Sequence, residues 1–238
     1  LENADLSLAD LQGANLQYAN LVGADLTGAD LTGVLFSGAN MSYATMLDAK
    51  LLRAKATEAN LYSADLRHAV LEEARLSCTN LSFANLERAN LRNAVISESN
   101  LDGANLFNAE LRKTYFLLSR LNGAILNSSH LEKASLRRSS LVGADISHCF
   151  LNGVDLEDSD LSGANLQGAD LRGARLIGAN LEGANLSRAL LERADFNGAN
   201  LFLADINMGS HLFNGVDFAG AFMDYKLRDY IIARGGRV

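Results

Sequence analysis

The sequence predicts an all-β solenoid, one elongated body wound from short extended segments and tight turns. Three observations carry this. A large apolar residue recurs at every fifth position from Leu1 to Ile206, with one lapse at Ala56. A small residue, mostly Ala, stands two places before it, with Asp or Asn usually between. Every Gly before Gly209 stands two places after it, as Gly13, Gly33 and Gly168 do.

Each position has a physical reason. A helix of about 3.6 residues per turn would smear a five-residue repeat around its whole surface, so a long α-helix is excluded. In an extended segment, residues two apart point to the same side. The small and the large residue therefore face inward together, and Asp or Asn faces out. The two remaining residues turn the chain, and Gly at the second supplies the positive φ of a type II turn. An unbroken phase makes one body rather than two domains.

From Met41 to Asn100 no corner carries Gly, and residues such as Tyr43, Arg53, Glu58, His68 and Phe83 stand there instead. These corners are expected to depart from type II and to display more side chains, either as a tolerated variant or as a binding surface.

The A-[D/N]-L-x-x signature, as in Ala164-Asn165-Leu166-Gln167-Gly168 and Ala169-Asp170-Leu171-Arg172-Gly173, resembles the pentapeptide-repeat family over about nine-tenths of the chain. The resemblance implies a right-handed quadrilateral β-helix with one pentapeptide per side. Residues 1–210 would then form roughly ten coils and a rod of about 50 Å at the spacing of β-strands. Residues twenty apart would stack. Phe36, Ala56, Phe116 and Phe196 would share one inner column, with the Phe36 ring leaning into the room that Ala56 leaves. Asn20, Asn40, Asn60, Asn80 and Asn100 would form one outer ladder.

The regular phase ends near Gly209, and Phe213 and Phe218 run two residues late. Residues 211–238 read as an out-of-register last turn followed by a short C-terminal helix over Asp224–Arg234, closed by Gly235 and Gly236. Phe222, Met223, Leu227, Tyr230 and Ile231 would make one apolar face on it. A bare coil end exposes strand edges, and solenoids carry caps. The tail reads as a cap, or as a cap that also joins two copies into a homodimer.

A net charge of −7 and a pI near 5.1 suit a soluble chain and argue against direct nucleic-acid binding. No apolar run approaches the ~18 residues of a membrane span. Cys78 and Cys149 fall too many coils apart for a disulfide, which fits a reducing compartment, so a cytoplasmic location is expected. The chain starts inside the repeat, so a processed N-terminus with export or organelle targeting stays open. His68, His130, His148 and His211 fall on different coils, carboxylates mostly occupy the repeat's own polar slot, and no glycine-rich phosphate loop occurs. No catalytic residue, metal or cofactor is expected, and no enzyme.

Two functions remain. The resemblance implies one, because some family members mimic DNA, bind type II topoisomerases and protect them from quinolones. Sorted by predicted face, the charges here nearly balance on two sides and are weakly acidic on the other two. Duplex DNA carries a charge every ~1.7 Å. Glu72 with Arg92, Arg112 with Glu132 and Arg172 with Glu192 are expected to pair across neighbouring coils. The leading expectation is a non-enzymatic scaffold that binds another protein, its identity unknown. Its candidate patch is Val95, Tyr115, Leu117, Leu118 and Ile125, with Phe150 and Leu190 isolated on the neighbouring face.

Overall fold

The computed structural model describes residues 1–207 and 213–238. Up to Asp205, parallel bridges link each outward residue to the one twenty positions later, as in Asn15 to Leu35 to Lys55. Each coil thus holds four pentapeptides, and its backbone N–H groups donate to the coils on both sides. Leu26 N donates to Thr45 O (2.7 Å), and Asp25 N to Ala4 O (2.9 Å). The apolar residues and their small partners line the interior, and from Leu21 onward they are buried. Those of the first coil, such as Leu6, Leu11 and Leu16, pack against that core but stay half-buried.

Asp and Asn hold the turns. Asn60 Oδ1 accepts from Tyr62 N (3.2 Å), two residues on, as most residues of this slot do. The same amides link coils, since Asn60 Nδ2 reaches Asn40 Oδ1 and Asn80 Nδ2 reaches Asn60 Oδ1, both at 3.0 Å.

The corners without Gly differ from expectation. Tyr43, Arg53, Glu58, His68 and Phe83 keep a left-handed backbone, with φ of +57° to +59°, beside +65° to +68° at Gly13, Gly33 and Gly38. The cause is the ladder. The corner N–H is held by the next coil whatever its side chain, as Gly33 N is by Leu52 O (2.8 Å) and Glu58 N by Ser77 O (3.0 Å). Gly is therefore not required for φ, and at some corners it leaves room for a neighbouring side chain. The corner side chain of one coil lies along the axis toward the next corner. A Cβ on Gly38 would stand 2.5 Å from the Tyr18 ring, whereas one on Gly33 meets nothing within 4 Å.

This separates two costs. Gly33→Ala should lose about 1 kcal/mol to the left-handed backbone alone. Gly38→Ala should lose more, and the excess should vanish in a Tyr18→Ala background. Urea unfolding of the four variants checks it, and an excess that survives Tyr18→Ala would remove the crowding explanation.

Hydroxyls replace Ala in part of the interior. Ser99 Oγ donates to Leu76 O (2.7 Å) and Ser119 Oγ to Ile96 O (2.8 Å). Thr79 N in turn donates to Ser99 Oγ (3.0 Å), so the buried hydroxyls are paired.

Past the regular coils the register shifts by two, with bridges from Asp195 to Asp217 and from Asn200 to Phe222. The chain then enters helix α1, Tyr225–Ala233. Asp224 caps its start, its Oδ1 accepting from Leu227 N (2.9 Å). At its end Gly236 N donates to Ile231 O and Gly235 N to Ile232 O, with Gly235 at φ +78°. Leu227 and Ile231, one turn apart, are buried over the end of the core with Phe213, Val216 and Phe218. Arg237 closes the end by bridging Asp217. Met223 and Tyr230 are half-buried against the same core. Phe222 lies outside that face, exposed on the outer side against Phe202 at 5.7 Å. The predicted boundary near 210, Gly209 and His211 lie outside the described residues.

Candidate functional site

Val95 bridges Tyr115, and Leu117 and Leu118 form the corner that follows. Tyr115, Leu117 and Leu118 are 54%, 40% and 50% exposed, and Val95 is half-buried beside them. Leu118 holds a left-handed corner at φ +59°, which turns its side chain outward. Ile125, 44% exposed, stands apart from these four. It belongs to the column Asn105–Ile125–Asp145, two corners further around the coil. Phe150 is exposed on another side, stacked on His130 at 4.4 Å, and Leu190 is half-buried.

The charges of the coil above the patch are occupied with one another, while Arg75 bridges Val95 from the coil below and Glu98 stands beneath Leu118. Arg137 donates to Glu157 (2.8 Å), Arg175 donates to the same carboxylate (2.7 Å), and Arg138 lies 3.5 Å from Asp158. The hydrogen bond from Arg175 holds the Glu157 carboxyl below its usual range. These pairs leave the patch itself apolar.

Elsewhere the charged side chains form ion pairs. Arg112 pairs with Glu132 (3.2 Å) as expected from the sequence. The other two expected pairs go elsewhere, Arg92 to Glu110 (3.2 Å) and Arg172 to Asp170 (2.6 Å). For Arg92 and Arg172 a carboxylate at a bridge position is taken in place of the one twenty residues away, whereas Arg137 takes Glu157 directly overhead (2.8 Å). Among the described histidines, His68 lies 3.3 Å from Asp48, and His130 Nδ1 lies 2.9 Å from Arg112. Cys149 is buried with its thiol 2.9 Å from Leu126 O, and burial pushes it up to about 12. Among the described residues no group of His, Cys, Asp and Glu is placed to hold a metal ion. Nor is any helix long and apolar enough to cross a membrane.

The aromatic corner of Tyr43, Tyr62 and Phe83 and the His130–Phe150 stack escaped the sequence reading. The twenty-residue stacking rule contained the signal, since Tyr43 and Phe83 are two coils apart and His130 and Phe150 one.

Compared with known proteins, pentapeptide repeats (8 copies) match in overlapping stretches that together run over residues 1–207. The chain belongs to the pentapeptide-repeat family. HetL, a pentapeptide-repeat protein involved in heterocyst differentiation regulation from the cyanobacterium Nostoc sp. strain PCC 7120, has a similar structure. It is 33% identical, with a TM-score of 0.68, covering 92% of this chain and 87% of HetL. QnrB1, a plasmid-mediated fluoroquinolone resistance protein, is 17% identical with a TM-score of 0.44, covering 98% of each chain. A pentapeptide-repeat protein of the Arabidopsis thaliana thylakoid lumen is 33% identical, with a TM-score of 0.36, over 43% of this chain and 68% of its own. No curated protein sequence matches the chain.

Proposed function

We propose that this pentapeptide-repeat protein is a non-enzymatic scaffold that binds another protein through the patch of Val95, Tyr115, Leu117 and Leu118. The rod behind it is read as a right-handed, four-sided helix of roughly ten coils. One observation carries the reading: three large apolar side chains, Tyr115, Leu117 and Leu118, stand exposed together, and the charges of the coil above them pair among themselves. Water-exposed apolar clusters of this kind favour a partner that covers them, and aromatic anchors dominate such contacts. Nothing in the fold's shape demands catalysis, since the interior is filled and the described surface gathers no unlike reactive groups. A soluble location, cytoplasmic or otherwise, fits this role.

The test is capture from the source lysate with wild type, Tyr115→Ala and Leu118→Asp side by side. All three should show the same circular dichroism, because both positions face outward. A partner held by wild type and lost at least about tenfold by Leu118→Asp supports the patch. A partner retained equally by all three removes it. Retention of topoisomerase subunits by all three forms would instead support DNA mimicry by the weakly acidic sides.

A further inference from the structure

A different side of the rod has a chemistry of its own. Through the coils that contain residues 20–23, 40–43, 60–63 and 80–83, the outward positions of this side carry no charged residue. The other sides of the same coils carry Lys50, Arg53, Asp65, Glu72 and Arg75. The uncharged strip ends at Asp102, which binds Arg120.

Two kinds of group fill the strip. Along one edge runs the amide ladder of Asn40, Asn60 and Asn80. In each linked amide, one N–H is spent on the coil before, and an amide nitrogen carries two. The second N–H of Asn60 and of Asn80 remains for a ligand. Along the corner beside it stand Tyr43, Tyr62 and Phe83. Tyr62 lies 5.5 Å from Tyr43 and 5.8 Å from Phe83, edge to face with both. The two outer rings are each 60% exposed. They are two coils apart, about 9.6 Å at strand spacing. These are left-handed corners where Gly would remove the side chain altogether.

Aromatic rings beside amide donors, on a strip whose own outward positions carry no charge, suit a ligand that is uncharged, hydroxylated and flat on one face. A sugar ring meets this description, its C–H face packing on an aromatic ring and its hydroxyls bonding amides. The distance between the outer rings matches the two-sugar repeat of an extended β-1,4-linked chain. We propose that the strip of Asn60, Asn80, Tyr43 and Phe83 binds an extended, uncharged β-1,4-linked glycan lying along the rod axis. Tyr43 and Phe83 stack on alternate sugars, and Asn60 and Asn80 donate to hydroxyls between them.

The experiment uses cellohexaose in calorimetry and hydroxyethyl cellulose in affinity electrophoresis. Wild type, the Tyr43→Ala/Phe83→Ala double variant and Tyr18→Ala are compared, with thermal melts as the folding control. Tyr18 is more exposed than these rings and stands at another corner. Wild type and Tyr18→Ala should be retarded in the polysaccharide gel and bind the hexaose. Removing both rings should weaken binding about tenfold or more with the melt unchanged. Wild type that migrates as in a blank gel and gives no heat with cellohexaose overturns the proposal. So does a double variant that binds as wild type does. Asn60→Ala/Asn80→Ala should bind the hexaose more weakly than wild type but not lose it; unchanged affinity there overturns the assignment of the amides to the site. Binding of a proline decapeptide with none of cellohexaose would assign the rings to a protein ligand and likewise overturn it.

Discussion

Phe196→Ala should destabilise the C-terminal third of the rod by about 3–5 kcal/mol, the usual cost of emptying a buried aromatic site. Phe196 is fully buried and stacks on Phe218, with centroids 5.2 Å apart and planes 14° apart. Phe218 in turn meets Phe213 edge to face at 5.5 Å, and Phe213 meets Tyr230 of α1 at 6.2 Å. Deleting the first ring removes the support of this chain of contacts at the place where the register shifts. The neighbouring coils cannot collapse into the space, because their backbones are bonded to one another on every side. Coils contact only their neighbours in a solenoid, so the loss should be local. Hydrogen exchange should show the amides near Phe218 and in α1 opening first, with those near Leu66 unchanged. Uniform deprotection along the rod would contradict the local account.

Gly236→Ala should release the cap, at a cost of about 1–3 kcal/mol from overpacking. A Cβ at this position would run into the Ile231 side chain and stand 3.0 Å from the Ile231 carbonyl oxygen. Ile231 is fully buried, so its side chain has nowhere to go. The Gly236 N–H also makes the bond to Ile231 O, 2.9 Å long, that ends α1. Gly235→Ala is the comparison. There a Cβ meets nothing within 4 Å but φ is +78°, so only the left-handed penalty of about 1 kcal/mol applies. The two variants are separated by the protection of the Leu227 and Ile231 amides and by thermal melts. Equal losses would mean that backbone conformation, and not the clash with Ile231, decides the end of the helix.

Much of this was legible beforehand because the repeat is a physical period. The positions two apart fixed which side chains face inward, and the bridges at twenty-residue spacing follow that pattern from Asp5 to Asp205. The late register of Phe213 and Phe218 was visible as a phase slip and appears as the shifted bridge from Asp195 to Asp217. The helix of the tail was visible in the run from Asp224 to Arg234 and the pair of glycines that closes it. The candidate patch was less legible. Val95, Tyr115, Leu117 and Leu118 read correctly as neighbours because they follow the stacking rule. Ile125 lies near them in sequence but two corners away around the coil, and linear distance misleads on a winding chain.

The corners show most clearly where local rules stop. From residue type alone, Tyr43 or Glu58 should avoid a positive φ, and a different turn was the reasonable expectation. The sequence by itself determined the period, the inward and outward sides, the phase slip and the cap's composition, because each depends on the spacing of residue types along one strand of chain. The tertiary structure decided what the corners do, which carboxylate each arginine takes and which exposed residues meet. Those depend on the coil above. Its carbonyls hold the corner N–H groups from Asn3 to Gly198 regardless of side chain, and its bridge residues offer Arg92 a carboxylate in place of the one in line with it.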